Sequence, residues 1–199
     1  QRNKSLRKKL PIEQLNNWTE QVLESGLLLS KEQYDFFQVF KEVSLEYISK
    51  AVISNNISFL QDINLHFISG WDTSKTMRKS FQDSLPKDMA LGYTTQGPHR
   101  QDFVFSVEKK KAASNLSRGQ LKLLIILMFL SSYDVINEFS SRESLLLIDD
   151  IGSELDEDNL QILFNIISSD KNQVILTAIN GNFLDKINGN LEQFKRINL

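Results

Sequence analysis

The chain has no cysteine. That excludes a disulfide scaffold and thiolate metal sites, and it suits a reducing compartment. Its two histidines are too few for a His-rich metal centre. Neither sign of charge dominates: 23 basic and 25 acidic side chains leave a net charge of −2, so there is no whole-chain nucleic-acid signature and any basic binding face must be local. The apolar runs at Leu121–Leu130 and Leu145–Ile148 are too short to cross a bilayer. The basic N-terminus lacks the apolar run of a signal peptide. None of the eight glycines is followed by lysine, so the phosphate loop Gly-x-x-x-x-Gly-Lys-Ser/Thr is missing. There is no internal repeat or low-complexity segment. The chain opens on Gln1, without Met and already in helix-like sequence, which suggests a piece of a longer protein.

What is present is ordinary for a soluble globular protein: 41% hydrophobic and 24% charged residues. The length allows one good core, or one core and a small helical subdomain. Arg2, Lys4, Arg7, Lys8 and Lys9 read as the solvated end of a helix, with Leu6 and Leu10 on one face. Pro11 suits the first turn of the next helix, which carries Leu15, Trp18 and Val22 and is broken at Gly26. Ser30 and Gln33 have the form of a capping box. A second helix bearing Phe36, Phe37, Phe40, Val43, Tyr47 and Ile48 should follow and pack back as a hairpin. Ile63, Leu65 and Phe67 alternate as a strand, and Gly70-Trp71-Asp72 is a turn. Thr73–Leu85 reads as a helix stopped by Pro86. Leu91 and Tyr93 suggest a short strand, broken by Gly97-Pro98. Phe103, Phe105 and Val107 alternate as another strand, and Glu108-Lys109-Lys110-Lys111 reads as a hairpin turn, whose lysines serve solubility or, as the lesser alternative, contact DNA.

Ser117 can cap a helix running to about Tyr133, buried nearly all round. After the polar loop 140–144, the unbroken run Leu145-Leu146-Leu147-Ile148 reads as a strand buried on both faces, as in a parallel sheet. Asp156 can cap a helix to about Ser168, with Leu160, Leu163, Phe164 and Ile167 inward. Val174-Ile175-Leu176 is a second buried strand, and Phe194 and Ile197 suggest a last edge strand. Strand, helix, strand is a βαβ rhythm, and the right-handed crossover rule puts both strands in one parallel sheet.

Two stretches offer chemistry. Asp149 and Asp150 stand at the C-terminal end of a strand, where open α/β sheets bind ligands. One carboxylate can hold Mg²⁺, which takes one or two carboxylates plus phosphate oxygens. The other can orient a water for attack on a γ-phosphate. Ser117-Arg118-Gly119-Gln120 heads a helix whose amide donors and positive end suit phosphate, with the serine hydroxyl as a further donor. Each alone has a bland alternative: a buried strand with an acidic turn, and an ordinary capped helix start.

Together they resemble a family. Leu116-Ser117-Arg118-Gly119-Gln120-Leu121-Lys122 resembles the ABC signature, Leu145–Asp150 a Walker B strand, and Ser153-Glu154-Leu155-Asp156 the D-loop after it. With Gly97-Pro98-His99-Arg100 and Asp102 upstream, the set is similar to the RecF family of bacterial recombination-repair ATPases, over about Trp71 to Ile179. The fold implied is α/β: the C-terminal part of an ABC-type ATPase head, a P-loop NTPase sheet with flanking helices. Residues 61–199 would form that lobe and 1–60 a helical lid or arm. The resemblance implies a cytoplasmic protein that dimerises around ATP and Mg²⁺ and binds DNA at single-strand/duplex junctions. It would work with RecO and RecR to load recombinase, with no membrane role. Asp149 would serve Mg²⁺ and Asp150 position the attacking water. Ser117 and Gly119 would contact the γ-phosphate bound on the opposite subunit, Arg118 and Gln120 would belong to the same cofactor-binding stretch, and Asp156 would act across the dimer.

The departures are specific. Without a Walker A loop, which would have to lie upstream of Gln1, the chain alone should neither bind ATP well nor hydrolyse it. Asp150 stands where transporters carry Glu, so the complete protein is expected to be a weak ATPase. Thr177-Ala178 replaces the switch histidine, and Asn159 stands where a basic residue is expected. His99 is either structural or a nucleotide or DNA contact. Another SMC-like head ATPase, as in phage defence, and a non-enzymatic interaction module are the alternatives.

Overall fold

The computed structural model describes residues 1–55, 57–140, 144–151, 155–169, 173–179, 195 and 197. The described elements are α1 (Arg2–Arg7), α2 (Ile12–Asn55), β1 (Ile63–Ile68), α3 (Met77–Leu91), a 3₁₀ turn at Pro98–Arg100, β2 (Asp102–Val107), β3 (Lys110–Lys111), α4 (Ala112–Asn115), α5 (Arg118–Phe139), β4 (Leu146–Ile148), α6 (Glu157–Ser169) and β5 (Val174–Leu176). One sheet has the order β1-β2-β3; the other pairs β4 with β5. Two compact units interleave along the chain: 1–38 with 65–104, and 39–64 with 105–199.

In the first unit, α2 overturns the expected hairpin, because it runs unbroken through Gly26 and Ser30. Glycine inside a helix costs about 1 kcal/mol relative to alanine. Here it lets neighbours close in: a Cβ at Gly26 would lie 3.4 Å from Met77 Sδ and from the Pro98 ring. Ser30 is no cap. It is buried, and its hydroxyl accepts from Gln101 Nε2 at 3.1 Å. Tertiary partners, absent from any local window, decide both positions.

The basic N-terminus is not all solvated either. Arg2 is buried and ion-paired to buried Asp88 at 2.9 Å. It also donates to Thr94 Oγ1 and, at 3.1 Å, to Thr19 Oγ1, and its guanidinium lies over the Phe81 ring. Asp88 accepts in addition from Thr95 N and Thr95 Oγ1, at 2.9 and 2.7 Å. This cluster lies in the C-terminal half of α3, beyond Pro86. α3 therefore continues past Pro86 to Leu91 and ends on Gly92 in left-handed conformation (φ +73°). Leu91 belongs to that helix, so the strand expected at Leu91–Tyr93 does not form. Thr76, not Thr73, caps α3 by accepting from Lys79 N. His99 Nε2 meets the Thr94 carbonyl at 3.0 Å, a structural bond.

In the second unit, β2 and β3 form the expected hairpin, with Ser106 opposite Lys111 and Val107 opposite Lys110. The α5 helix starts at the expected residue but extends to Phe139, and it is not buried all round. Leu123, Leu124, Leu127 and Leu130 are buried, whereas Ile125, Phe129 and Ile136 are exposed. Among the described helices it alone is long and apolar enough to span a bilayer by length and composition, yet 44% of its most apolar stretch is buried inside the protein. Tyr47 of α2 donates to Asp134 at 2.6 Å, and Tyr133 donates to the Ser144 carbonyl at 2.6 Å, fixing the entry to β4.

β4 and β5 are parallel, as the βαβ rhythm requires, with Leu146, Leu147 and Ile148 opposite Val174, Ile175 and Leu176. Neither is buried on both faces. Leu147 is 66% exposed and its partner Ile175 47%. The two-residue period puts both on one face. α6 presents Leu160, Leu163, Phe164 and Ile167 inward, all nearly inaccessible. Burial of such a side chain stabilises by roughly 1.5–3 kcal/mol. Ile197 lies in no strand, and its expected partner Phe194 is outside the described residues.

Candidate functional site

All the candidate residues belong to the second unit. Ser117 is the N-cap of α5 and makes a full capping box. Its hydroxyl accepts from Gln120 N at 3.2 Å, and the Gln120 side chain accepts from Ser117 N at 2.9 Å. Both groups offered to a ligand at the sequence level thus also hold the helix start. Arg118 is exposed beside them, and the first-turn N–H groups of Arg118 and Gly119 have no partner one turn back.

Gly119 faces α6. A Cβ there would lie 3.2 Å from Asn159 Nδ2 and 3.4 Å from Asp156 Oδ2. The missing side chain therefore makes room for the start of α6, and it brings the signature-like and D-loop-like residues into contact. Asp156 caps α6, its Oδ1 accepting from Asn159 N at 2.8 Å. Asn159 is buried in this contact, which explains how an uncharged side chain fills the place where a basic one was expected. Ser153 and Glu154 lie outside the described residues.

Asp149 and Asp150 end β4. Thr177 Oγ1 donates to Asp149 Oδ1 and accepts from Asp150 N at 2.9 Å. Thr177 N donates to the Ile148 carbonyl, and Ile151 N to the Thr177 carbonyl, each at 3.0 Å. One threonine thus ties β5 to the end of β4 and orients the first carboxylate. Asp150 has φ +46°, a left-handed conformation that aspartate tolerates better than most residues. It turns the chain sharply, so that neighbouring carboxylates need not point to opposite faces.

A cavity of about 240 Å³ lies beside this turn, lined by Ile126, Phe129, Leu147 and Leu155, with Lys122 and Asp149 as its charged members. Lys122 was not singled out from sequence. Its place follows from α5 geometry, three residues after Gly119. Among the described residues no cluster of three or more His, Asp or Glu side chains could hold a metal by protein ligands alone. Ser117, Arg118, Asp149 and Asp156 are all exposed.

No protein-family model matches the chain. It is similar to the DNA replication and repair protein RecF of several bacteria. The protein of Shewanella piezotolerans is 28% identical over 179 residues, 90% of this chain and 48% of the relative. That of Shewanella amazonensis is 30% identical over 181 residues, with the same coverage. The chain thus spans about half the length of the curated relatives it matches, their C-terminal part. Two solved structures share its fold: the recombination mediator RecF with ATPrS (TM-score 0.70, 20% identity, 95% of this chain and 51% of that one) and RecF with ATP (0.66, 22%, 92% and 50%). The chain thus has the mixed α/β fold of the C-terminal part of those RecF chains.

Proposed function

We propose, from the premise that this chain matches the C-terminal part of RecF proteins in sequence and in fold, that it supplies half of a composite ATP site in a DNA-repair recombination mediator. Residues 1–60 serve as lid or arm and 61–199 as the C-terminal lobe. That division is by role, and the packing units interleave across it. The protein acts in the cytoplasm on gapped or junction DNA together with RecO and RecR, as an ATP-dependent homodimer and a weak ATPase.

The observation that carries this reading is the contact of an exposed, capped Ser117-Arg118-Gly119 start with Asp156, on the βαβ unit whose first strand ends in Asp149 and Asp150. Asp149, oriented by Thr177, is the residue for Mg²⁺, and Asp150 positions water. Ser117, Arg118, Gly119 and Gln120 offer donors to a γ-phosphate presented by a partner subunit, and Asp156 stands at the same surface. ATP would supply the charge that joins two such surfaces. The sequence has no Gly-Lys pair for a phosphate loop, so the other half of the site comes from elsewhere.

Calorimetric titration of Mg-ATP tests this. The chain alone should give no binding. The chain joined to the N-terminal half of a matched relative should bind. Binding by the chain alone would sink the split-site reading. In the joined protein, Ser117→Arg should block ATP-driven dimerisation by at least tenfold while sparing nucleotide binding to the monomer. Normal dimerisation of that variant, read by light scattering, would remove Ser117 from the site.

A further inference from the structure

We infer that the hairpin tip Lys109-Lys110-Lys111 is a contact for the phosphate backbone of DNA, mounted rigidly on the signature-like helix start. This rests on the DNA-binding part of the reading above, which by itself assigns no surface to DNA.

The chain is net negative, yet Lys109, Lys110, Lys111, Arg118 and Lys122 put five cations into the 15 residues from Glu108 to Lys122, against the one carboxylate of Glu108 at the turn. The hairpin lysines are exposed, and none is ion-paired among the described residues. Some exposed cations elsewhere are neutralised, Lys75 by Asp72 and Asp83, Lys79 by Asp83, Arg78 by Glu20 and Lys50 by Glu46, whereas others, Lys4, Lys8 and Lys9 among them, form no ion pair among the described residues either and serve as the control below. Unpaired ammonium groups in a row suit a polyanion, because each neutralised phosphate releases a counterion.

The mount is stiff. Both turn residues, Glu108 (φ +49°) and Lys109 (φ +65°), are left-handed, the pattern of a two-residue hairpin that normally selects Asn-Gly. The chain thus keeps a lysine where glycine is the relaxed choice. Phe105, Val107 and Ala112 anchor the base in the core. Lys111 is at once the last strand residue and the N-cap of α4, and Ser114 Oγ donates to its carbonyl at 2.9 Å. α4 ends two residues before Ser117, so no slack linker separates the lysines from the signature serine. A DNA phosphate held at the tip therefore bears on the position of Ser117.

The experiment is fluorescence anisotropy of a labelled 30-base-pair duplex (about 100 Å long) with the 199-residue chain, from about 50 to 200 mM salt. Lys109→Ala/Lys110→Ala/Lys111→Ala should weaken binding roughly tenfold at 100 mM and lower the slope of log affinity against log salt by about 2–3. Replacing the same three by arginine should restore both. Lys4→Ala/Lys8→Ala/Lys9→Ala, removing equal charge from exposed positions, should change affinity less than about twofold. Equal losses in the two alanine triples, or none in the hairpin triple, overturn the assignment and leave the DNA reading standing; the hairpin would then serve an acidic protein. A wild-type chain that ignores DNA while the joined protein binds it also overturns the hairpin alone. If neither binds, both fall.

Discussion

At the scale of single residues, the sharpest features are side chains in conformations they do not prefer. Lys109 sits left-handed at a hairpin tip, which costs a non-glycine residue on the order of 1 kcal/mol. Lys109→Gly should therefore raise stability by about 0.5–1 kcal/mol in urea unfolding, after allowing for the entropy glycine adds to the unfolded chain. A variant less stable than wild type would show that the lysine stem makes contacts worth more than the strain. Asp150 shares this conformation, two residues after the strand end, where a ligand carboxylate is wanted. Strained backbone at a candidate site is what pre-organised chemistry leaves behind. Asp149 and Asp150 were legible from sequence as a pair of carboxylates after an apolar run. The turn at Asp150 was not, because φ depends on where its N–H finds a partner, and that partner, Thr177, is 27 residues away.

At the scale of elements, two polar clusters hold strands and helices in register. Thr177 bonds both to Asp149 and to the backbone of Asp150. Thr177→Val keeps the β-branched shape but removes the hydroxyl. It should lower stability by about 1–2 kcal/mol, read from the urea midpoint at unchanged slope, and in the joined protein it should weaken Mg-ATP binding. Unchanged nucleotide affinity would make Thr177 purely structural. The other cluster joins α1, α3 and the segment at Thr94–Thr95 around the Arg2–Asp88 pair. Asp88→Ala would leave a buried guanidinium without its counter-charge and should destabilise by about 3–5 kcal/mol. A loss below about 1 kcal/mol would mean that water or the threonines replace the carboxylate. Nothing in the spacing of Arg2 and Asp88 pairs them, since they lie 86 positions apart. Local rules therefore read the N-terminus as solvated and stopped α3 at Pro86.

At the scale of the whole molecule, surface charge and uncovered apolar faces matter more than any single bond. Three carboxylates on the surface of the first unit, Glu20, Asp72 and Asp83, are paired with cations. Hydrogen bonds from Arg78 hold the Glu20 carboxyl below its usual range, those from Ser74 do the same for Asp72, and those from Lys75 and Lys79 for Asp83. Each is depressed in the folded state, so its contribution is present at neutral pH and is lost as pH falls through the folded values. Lys75 and Arg78 are raised by hydrogen bonds with Asp83 and Glu20, so their share persists at neutral pH and is lost only at strongly alkaline pH. All five groups face solvent, where salt screens such pairs. Melting at pH 3.5 should therefore fall a few degrees below that at pH 7 in low salt, and by less in about 0.5 M salt. A drop unchanged by salt would move the cause to buried groups such as Asp88.

The sequence by itself determined what depends on near neighbours. Ser117 and Gln120 close a capping box three residues apart, Asp156 caps the helix that begins beside it, and the apolar runs at Leu146–Ile148 and Val174–Leu176 flank a helix of crossover length. Motif residues that share one turn or one strand end are likewise local, so the similarity to RecF was readable before any fold. Tertiary structure alone decided what depends on distant partners. Gly26 lies inside a helix because Met77 and Pro98 pack on it, and Ser30 is buried because Gln101 reaches it. Pro86 is passed, with Asp88, tied to Arg2, lying beyond it, and Gly119 leaves room for the side-chain ends of Asn159 and Asp156. Those contacts outweigh local propensities of about 1 kcal/mol or less per residue.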